Sequence, residues 1–271
     1  MVLELTFWGV RGSFPVSGAA YKEGGGSTCC VSVFVNQQHL IVFDAGSGLY
    51  NFCKATPFMP TKTVHMFLSH LHLDHIMGLP FFKPLWSPEY TLYFYSLHNN
   101  LKKFLCDTIF NSVIFPKQPD SHKATLIFNQ ISINKEIKID QDIVIKTLRL
   151  HHPGGAVGYR LEAGGKSISY ITDVEHDPVH LDQDILHFIE GTDLFIYDST
   201  YTEEEFEEKR GWGHSTYIRA AELAKMAKVK RLALYHHNPS HDDQMLNQIE
   251  ADAQAIFKNT FAARQGMKIE L

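Results

Sequence analysis

Apolar and polar positions divide the chain into short runs of recognisable period. LELTFWG (3–9) alternates as a strand does, and CVSVFVN (30–36) with HLIVFD (39–44) reads as a hairpin of buried strands. Between them, VRGSFPVSGAAYKEGGGST is a loop rich in glycine and serine. DAGSGLY turns into a short helix. VHMFLS (64–69) is a further buried strand leading to His70, and a helix is expected from Asp74, with Asp74 as its cap. TLYFY (91–95) is a strand and NNLKKFLCDTIF (99–110) an amphipathic helix. Strand-like runs follow at 125–129, 142–150 and 158–163, the last joined to SISYITD (167–173) through Gly164 and Gly165 as a hairpin would be. Strand and helix then alternate: helix 181–189, strand 194–199, a charged helix 202–210, helix 215–229, strand 231–236 and a final helix from about 241 to 260. No repeat or linker breaks this order, so two sheets covered by helices in one domain, residues 1–271, is the expected architecture.

The polar residues of interest fall at strand ends. IVFD closes on Asp44, FLSH on His70, LRLHH on His151 and His152, SYITD on Asp173, FIYD on Asp198 and LALYH on His236. In layered α/β folds the strand ends and the loops after them line the binding crevice. The densest of these ends is LSHLHLDHIMGLP, where His70, His72, Asp74 and His75 fall within six positions. A core cannot take so many polar heads without partners. Imidazole suits zinc and its first-row neighbours, and a carboxylate can bridge two cations. On an extended segment His70 and His72 point the same way, whereas Asp74 and His75 follow the turn and aim at a second point. With His152, Asp173 and His236 arriving from afar, the pattern predicts two metal sites that keep positions open for water.

Composition narrows the reading. Hydrophobic residues at 44% and a net charge of −5 describe an ordinary globular chain with no global basic field to capture long nucleic acid. Sixteen histidines is high for 271 residues. Cys29, Cys30, Cys53 and Cys106 lack C-x-x-C spacing and read as reduced, buried thiols. The opening residues lack a signal-peptide core and no run approaches a membrane span, so a cytoplasmic location is expected.

H-L-H-L-D-H after a buried strand resembles the metal motif of the metallo-β-lactamase superfamily. LRLHHPGGAVGYR, SYITD and LALYHHNP are similar to its later elements. YDST, GWGHST and the opening FWGVRGSFPVSG resemble the branch containing ribonuclease Z and the phosphoribosyl cyclic phosphodiesterases. The likeness runs from about residue 5 to 240. It implies a four-layer αββα sandwich of two mixed sheets flanked by helices. It also implies a dinuclear hydrolase with two divalent ions, Zn2+ first and Mn2+ second. His70, His72 and His152 would hold one ion, Asp74, His75 and His236 the other, and Asp173 would bridge them. Asp44 would orient a ligand histidine, or else cap the DAGSG turn. The step from His152 to Gly158 of GYR matches ribonuclease Z and favours His152 over His151, and strand spacing favours His236 over His237.

The resemblance further implies attack on a phosphodiester by a hydroxide shared between the ions. Asp74, within the ligand set, and His214 with Asp198 are the expected catalytic residues, His214 protonating the leaving alkoxide. Ser215, Thr216 and Tyr159 are candidate substrate contacts, with Arg160 and Arg11 as weaker ones. Helix capping is the plainer role for His214 and Ser215, and a solvated face the plainer role for TEEEFEEKR. His39, His65, His98 and His122 are expected to be surface or satisfied core positions. The expected partner is a small or cyclic phosphodiester rather than long nucleic acid or a membrane, with a homodimer left open. The alternatives are RNA 3′ processing as in ribonuclease Z, and thioester or lactone hydrolysis as in glyoxalase II. Ribonuclease Z inserts an RNA-gripping arm between the residues matching His152 and Asp173, where this chain has only twenty residues.

Overall fold

The alternation of LELTFWG becomes strand β1 (Leu3–Gly9), but both of its faces are covered: Thr6 and Trp8 are buried along with Leu5 and Phe7. In the computed structural model, which describes residues 1–57, 59–116 and 123–271, helix α1 (Gly48–Ala55) explains why. Its Leu49, Phe52 and Cys53 pack with Trp8 on the outer side, and Trp8 Nε1 donates to Ser32 Oγ at 2.7 Å.

The other strands of the first sheet are β2 (Cys30–Val35), β3 (His39–Phe43), β4 (Thr63–Phe67), β5 (Thr91–Ser96) and β6 (Thr125–Gln130). The second sheet contains β7 (Glu136–Asp140), β8 (Ile143–Leu150), β9 (Ala156–Ala163), β10 (Lys166–Ile171), β11 (Leu194–Asp198), β12 (Leu232–Tyr235) and β13 (Thr260–Ala262). A last strand, β14 (Lys268–Glu270), returns to the edge of the first sheet. The orders are β14-β1-β2-β3-β4-β5-β6 and β13-β12-β11-β10-β9-β8-β7. Both sheets are mixed: β3 to β6 and β10 to β13 pair in parallel, and the remaining pairs are antiparallel.

Between the sheets, Phe7, Val33, Phe43 and Phe67 meet Tyr159, Leu161, Tyr170 and Tyr235. Outside the first sheet lie α1 and α3 (Leu101–Asp107); outside the second lie α4 (Gln183–Ile189), α6 (Tyr217–Met226) and α7 (Asp243–Ile256). This is the expected αββα sandwich of two mixed sheets. Each outer helix turns an apolar stripe to its sheet; that of α6, Ala220, Ala221, Leu223 and Ala224, is small enough to let the helix lie flat. The acidic α5 (Glu203–Glu208) buries only Phe206 and is held by a capping box between Thr202 and Glu205.

Three strands differ from expectation. β7 alternates, but its exposed edge position and charged residues hide the signal. The final helix stops at Ile256, and β13 and β14 follow, each three residues long and too short for a period to register. Asp74 is not a cap. The helix is one turn, α2 (Leu73–Ile76), with His72 at the N-cap position and Asp74 inside the first turn. Among the described residues no helix is long and apolar enough to cross a membrane.

Candidate metal centre

Asp44 follows β3, His70 and the one-turn α2 follow β4, His152 follows β8, Asp173 follows β10, Asp198 ends β11 and His236 follows β12. Three of these corners share an unusual backbone: Asp44, Asp173 and His236 have φ of 58°, 57° and 58°. A non-glycine residue in the left-handed region ends the pleat abruptly and costs energy that the surroundings must offset. Here that conformation turns the chain at the strand tip, where the polar side chain meets the others.

The two oxygens of Asp173 face different sets of donors. Oδ1 lies 3.7 Å from His70 Nε2 and 3.8 Å from His152 Nε2, and His152 Nε2 is in turn 3.1 Å from His72 Nδ1. Oδ2 lies 3.2 Å from His75 Nε2 and 3.3 Å from His236 Nε2. Those two nitrogens are also 3.3 and 3.4 Å from Asp74 Oδ2. The seven side chains therefore form two groups with one carboxylate between them, the grouping expected from the sequence. The glycine-rich loop serves this cluster. Ser13 N donates to Asp74 Oδ2 at 2.8 Å, and a Cβ on Gly12 would sit 2.2 Å from the His236 ring.

Each of four histidines has its Nδ1 near a partner and its Nε2 turned inward. His75 Nδ1 donates to Asp44 Oδ2 at 2.8 Å, and His152 Nδ1 donates to Gly213 O at 2.7 Å. His70 Nδ1 lies 3.1 Å from Ser69 Oγ and His236 Nδ1 lies 2.9 Å from Thr200 Oγ1. Partners of this kind fix the orientation and basicity of metal-binding imidazoles. The inward Nε2 atoms of His70, His75 and His236 are buried without a hydrogen-bond partner. Native interiors rarely leave such atoms unsatisfied, and a divalent cation would accept their lone pairs. The donor set therefore fits metal, with His70, His72, His152 and Asp173 on one side and Asp74, His75, His236 and Asp173 on the other.

Electrostatics agree. Burial alone would protonate Asp74 and Asp173, yet the neighbouring His75 and His236 hold both carboxyls well below their ordinary range. Burial disfavours charge on His236 as well, but Asp173, Asp74 and Asp198 push it up to about 9. The cluster favours positive charge at its centre. Cys29 Sγ comes within ligand range of His75 and His236. Burial pushes its thiol far up, and Asp173 and Asp74 add to that against the opposing His75, so it stays an uncharged thiol.

His214 sits beside this cluster, its Nδ1 2.9 Å from Asp198 Oδ2 and its ring against those of His152 and His236. Thr200 joins the two parts, with its hydroxyl 2.7 Å from Asp198 Oδ1. The other sequence candidates lie elsewhere. Tyr159 is buried between the sheets with its hydroxyl donating to Leu68 O at 2.7 Å, because strand alternation turns it inward. Ser215 is fully buried against His176 Nδ1 at 2.7 Å, and Thr216 caps α6 by accepting from Arg219 N. Neither hydroxyl is available to a substrate. Arg11 is buried, donating to the carbonyls of Gly25, Asn238 and His241, and Arg160 is spent on Glu162 and the carbonyls of Phe188 and Glu190. His151 is exposed, while His237 turns the other way to Ala263 O. His39 pairs with Asp140, and His65 stacks on Tyr93; His122 lies outside the described residues.

Several supporting residues escaped sequence reasoning. Asp44 Oδ2 also accepts from Ser69 Oγ and from Tyr170, which reaches over from the opposite sheet, each at 2.8 Å. Glu175 accepts from Gly211 N and Gly213 N, fixing the loop that both receives His152 and presents His214. Only Tyr170 carried a signal, its place three residues before Asp173 on an inward-facing strand position.

Residues 39–237 match the model of the beta-lactamase superfamily domain, and the chain belongs to that superfamily. It is 25% identical to the ribonuclease Z of Latilactobacillus sakei, across 95% of this chain and 94% of that protein. Its fold superposes on the metallo-beta-lactamase fold protein YhfI from Bacillus subtilis with a TM-score of 0.76 at 18% identity, covering 100% of this chain and 99% of that one. A diphosphatase from the PhnP family gives 0.73 at 19%, covering 100% and 98%. The protein is thus a metallo-beta-lactamase-fold hydrolase.

Proposed function

We propose that this hydrolase is a dinuclear phosphodiesterase acting on a small or cyclic phosphodiester. The observation that carries this reading is His214, held at its Nδ1 by Asp198 within reach of the seven-residue donor set. Thioester hydrolysis expels a thiolate that needs no such donor, whereas a phosphodiester must release an alkoxide. Two divalent cations in this donor set would supply Lewis-acid activation of water and neutralise charge on the phosphoryl oxygens. Asp173 offers one oxygen to each donor group and fixes their spacing. Asp44 holds His75, and Thr200 holds His236, so that each inward nitrogen keeps its direction. Asp198 engages Nδ1 of His214 and leaves Nε2 to deliver a proton to the leaving oxygen. Buried thiols at Cys29, Cys30 and Cys53 fit a reducing compartment such as the cytoplasm.

The test is metal content measured together with turnover of bis(p-nitrophenyl) phosphate and of a thioester. Two equivalents of bound metal with diester turnover is the expected result; two equivalents with none ends the reading.

A ribonuclease Z-like activity on RNA 3′ ends is the second reading, favoured by the names of the curated relatives. Against it, the alignment with the Latilactobacillus enzyme spans 304 positions, more than this 271-residue chain can fill, so that enzyme carries inserted segments absent here. The stretch between His152 and Asp173 is occupied by the β9–β10 hairpin, and the net charge is −5. Cleavage of a precursor tRNA at rates matching a cyclic nucleotide would favour the RNA reading.

A further inference from the structure

His214 follows a segment that its own sequence leaves loose. Gly211, Trp212 and Gly213 precede it; both glycines have φ of 87°, and the Trp212 side chain is 66% exposed and offers little packing to fix them. Glycine enters this region of backbone freely and leaves it as freely. After His214 the chain is anchored, since Tyr201 N donates to Ser215 O at 3.0 Å and Thr216 caps α6. Before His214, a bond from Trp212 N to Lys209 O at 3.2 Å closes the turn without tying it to the centre. The tie comes from another element. Gly211 N donates to Glu175 Oε1 and Oε2 at 2.9 and 2.8 Å, and Gly213 N donates to Oε2 at 2.7 Å. Among the described residues that carboxylate accepts from no other donor.

Glu175 is itself seated at the centre. Its backbone N donates to His151 O at 2.8 Å, and it follows the left-handed corner at Asp173 by two residues. One residue thus registers the end of β8, the end of β10 and the loop 211–213 against one another. The loop returns two groups to the cluster: Gly213 O accepts from His152 Nδ1 at 2.7 Å, and His214 Nδ1 meets Asp198 Oδ2 at 2.9 Å. A Cβ on Gly213 would sit 2.2 Å from His152 Nδ1, so loop and ligand touch without slack.

We propose that Glu175 is a positioning residue for the proton donor: its carboxylate sets the loop 211–213 and thereby places His214 against the leaving oxygen. Asp198 fixes the ring of His214, whereas Glu175 fixes the backbone that leads into it. Charge-assisted bonds to two amides are strong enough for the task, and a donor displaced by about 1 Å loses on the order of 10²-fold in rate. The proposal rests on the phosphodiesterase reading for what His214 protonates, but the clamp on the loop does not.

Two measurements, made with zinc in excess so that every variant is loaded, test it on the wild type, Glu175→Ala and Glu175→Gln. The first compares kcat on two diesters. Adenosine 2′,3′-cyclic phosphate releases a ribose alkoxide that must be protonated, and bis(p-nitrophenyl) phosphate releases a phenolate that need not be. The alanine variant should lose about 10- to 100-fold on the cyclic nucleotide and stay within about threefold on the aryl diester. Glutamine should restore the cyclic-nucleotide rate, because one oxygen, Oε2, already accepts from both amides. The second is amide exchange at Gly211 and Gly213, which should quicken about 10- to 100-fold in the alanine variant and stay near wild type in the glutamine variant. An equal loss on both diesters, or unchanged exchange at the two glycines, overturns the proposal. If the wild type hydrolyses neither diester, the phosphodiesterase reading falls, and the exchange alone decides whether Glu175 clamps the loop.

Discussion

His236 and His237 are neighbours in the chain and occupy opposite electrostatic regions. His236 faces Asp74 and Asp173, which overcome burial and push its pKa up to about 9. His237 is as deeply buried, but it faces Arg11; burial first, and then that guanidinium, push it down to about 3. Burial alone drives an imidazole neutral, and only nearby carboxylates reverse the direction. The same contrast recurs along β4 and its continuation. His65, between phenol rings with Tyr95 OH 3.1 Å from its Nδ1, is lowered by burial to about 4, while His75 beside three aspartates is raised. Carboxylates reverse the direction at His75 and His236, on the Asp74 side of the cluster, whereas burial keeps His70 and His152 lowered although Asp173 stands beside them.

The comparison can be broken most severely at His236. His236→Ala should empty the Asp74 side of the centre and reduce phosphodiester turnover on the order of 10³-fold, read by elemental analysis alongside kinetics. His214→Ala should cost about 10²-fold in kcat while metal content stays at the wild-type value; metal loss in that variant contradicts its assignment as proton donor. Asp44→Asn weakens the acceptor for His75 Nδ1, and metal affinity should drop about tenfold or more in a competition titration with a chelator. His237→Asn should leave metal binding intact and cost about 1 kcal/mol of stability through the lost bond to Ala263 O, measured by denaturant unfolding of the metal-loaded protein.

A pH series sharpens the contrast away from the metal. The folded His65 ring stays neutral down to about pH 4, whereas the unfolded ring takes up a proton near 6.5. The unfolded state therefore binds more protons in that window, and stability falls as pH falls through it, by about 3 kcal/mol at the lower end. His65→Phe should flatten this slope in acid-unfolding curves. An unchanged slope would place its origin in other groups.

The strands that build the centre were legible because each is an apolar run stopped by a histidine or aspartate. The grouping of His70 and His72 apart from Asp74 and His75 followed from the extended segment giving way to a turn. What remained hidden is of two kinds. Ser13, Ser69, Thr200 and Glu175 support the centre through small local hydrogen-bond sets, and such residues occur throughout any chain of this composition. The short strands β7, β13 and β14 owe their pairing to neighbours far off in sequence, so local period says little about them. Tyr159, Ser215 and Thr216 misled in the opposite sense. Their nearness to the motifs suggested substrate contact, but inward alternation, the packing of His176 and the capping of α6 had already claimed their hydroxyls.

The left-handed corners at Asp44, Asp173 and His236 tie conformation to cargo. Each stores strain of order 1 kcal/mol, and they hold an orienting carboxylate, the shared carboxylate and one imidazole of the centre. Cations held by this donor set would supply an attraction that offsets this strain, so on chelation these three corners should be the first places where the backbone loosens. Amide exchange at Ala45, Val174 and His237, compared before and after chelation, would register the release while the strands behind them stay protected.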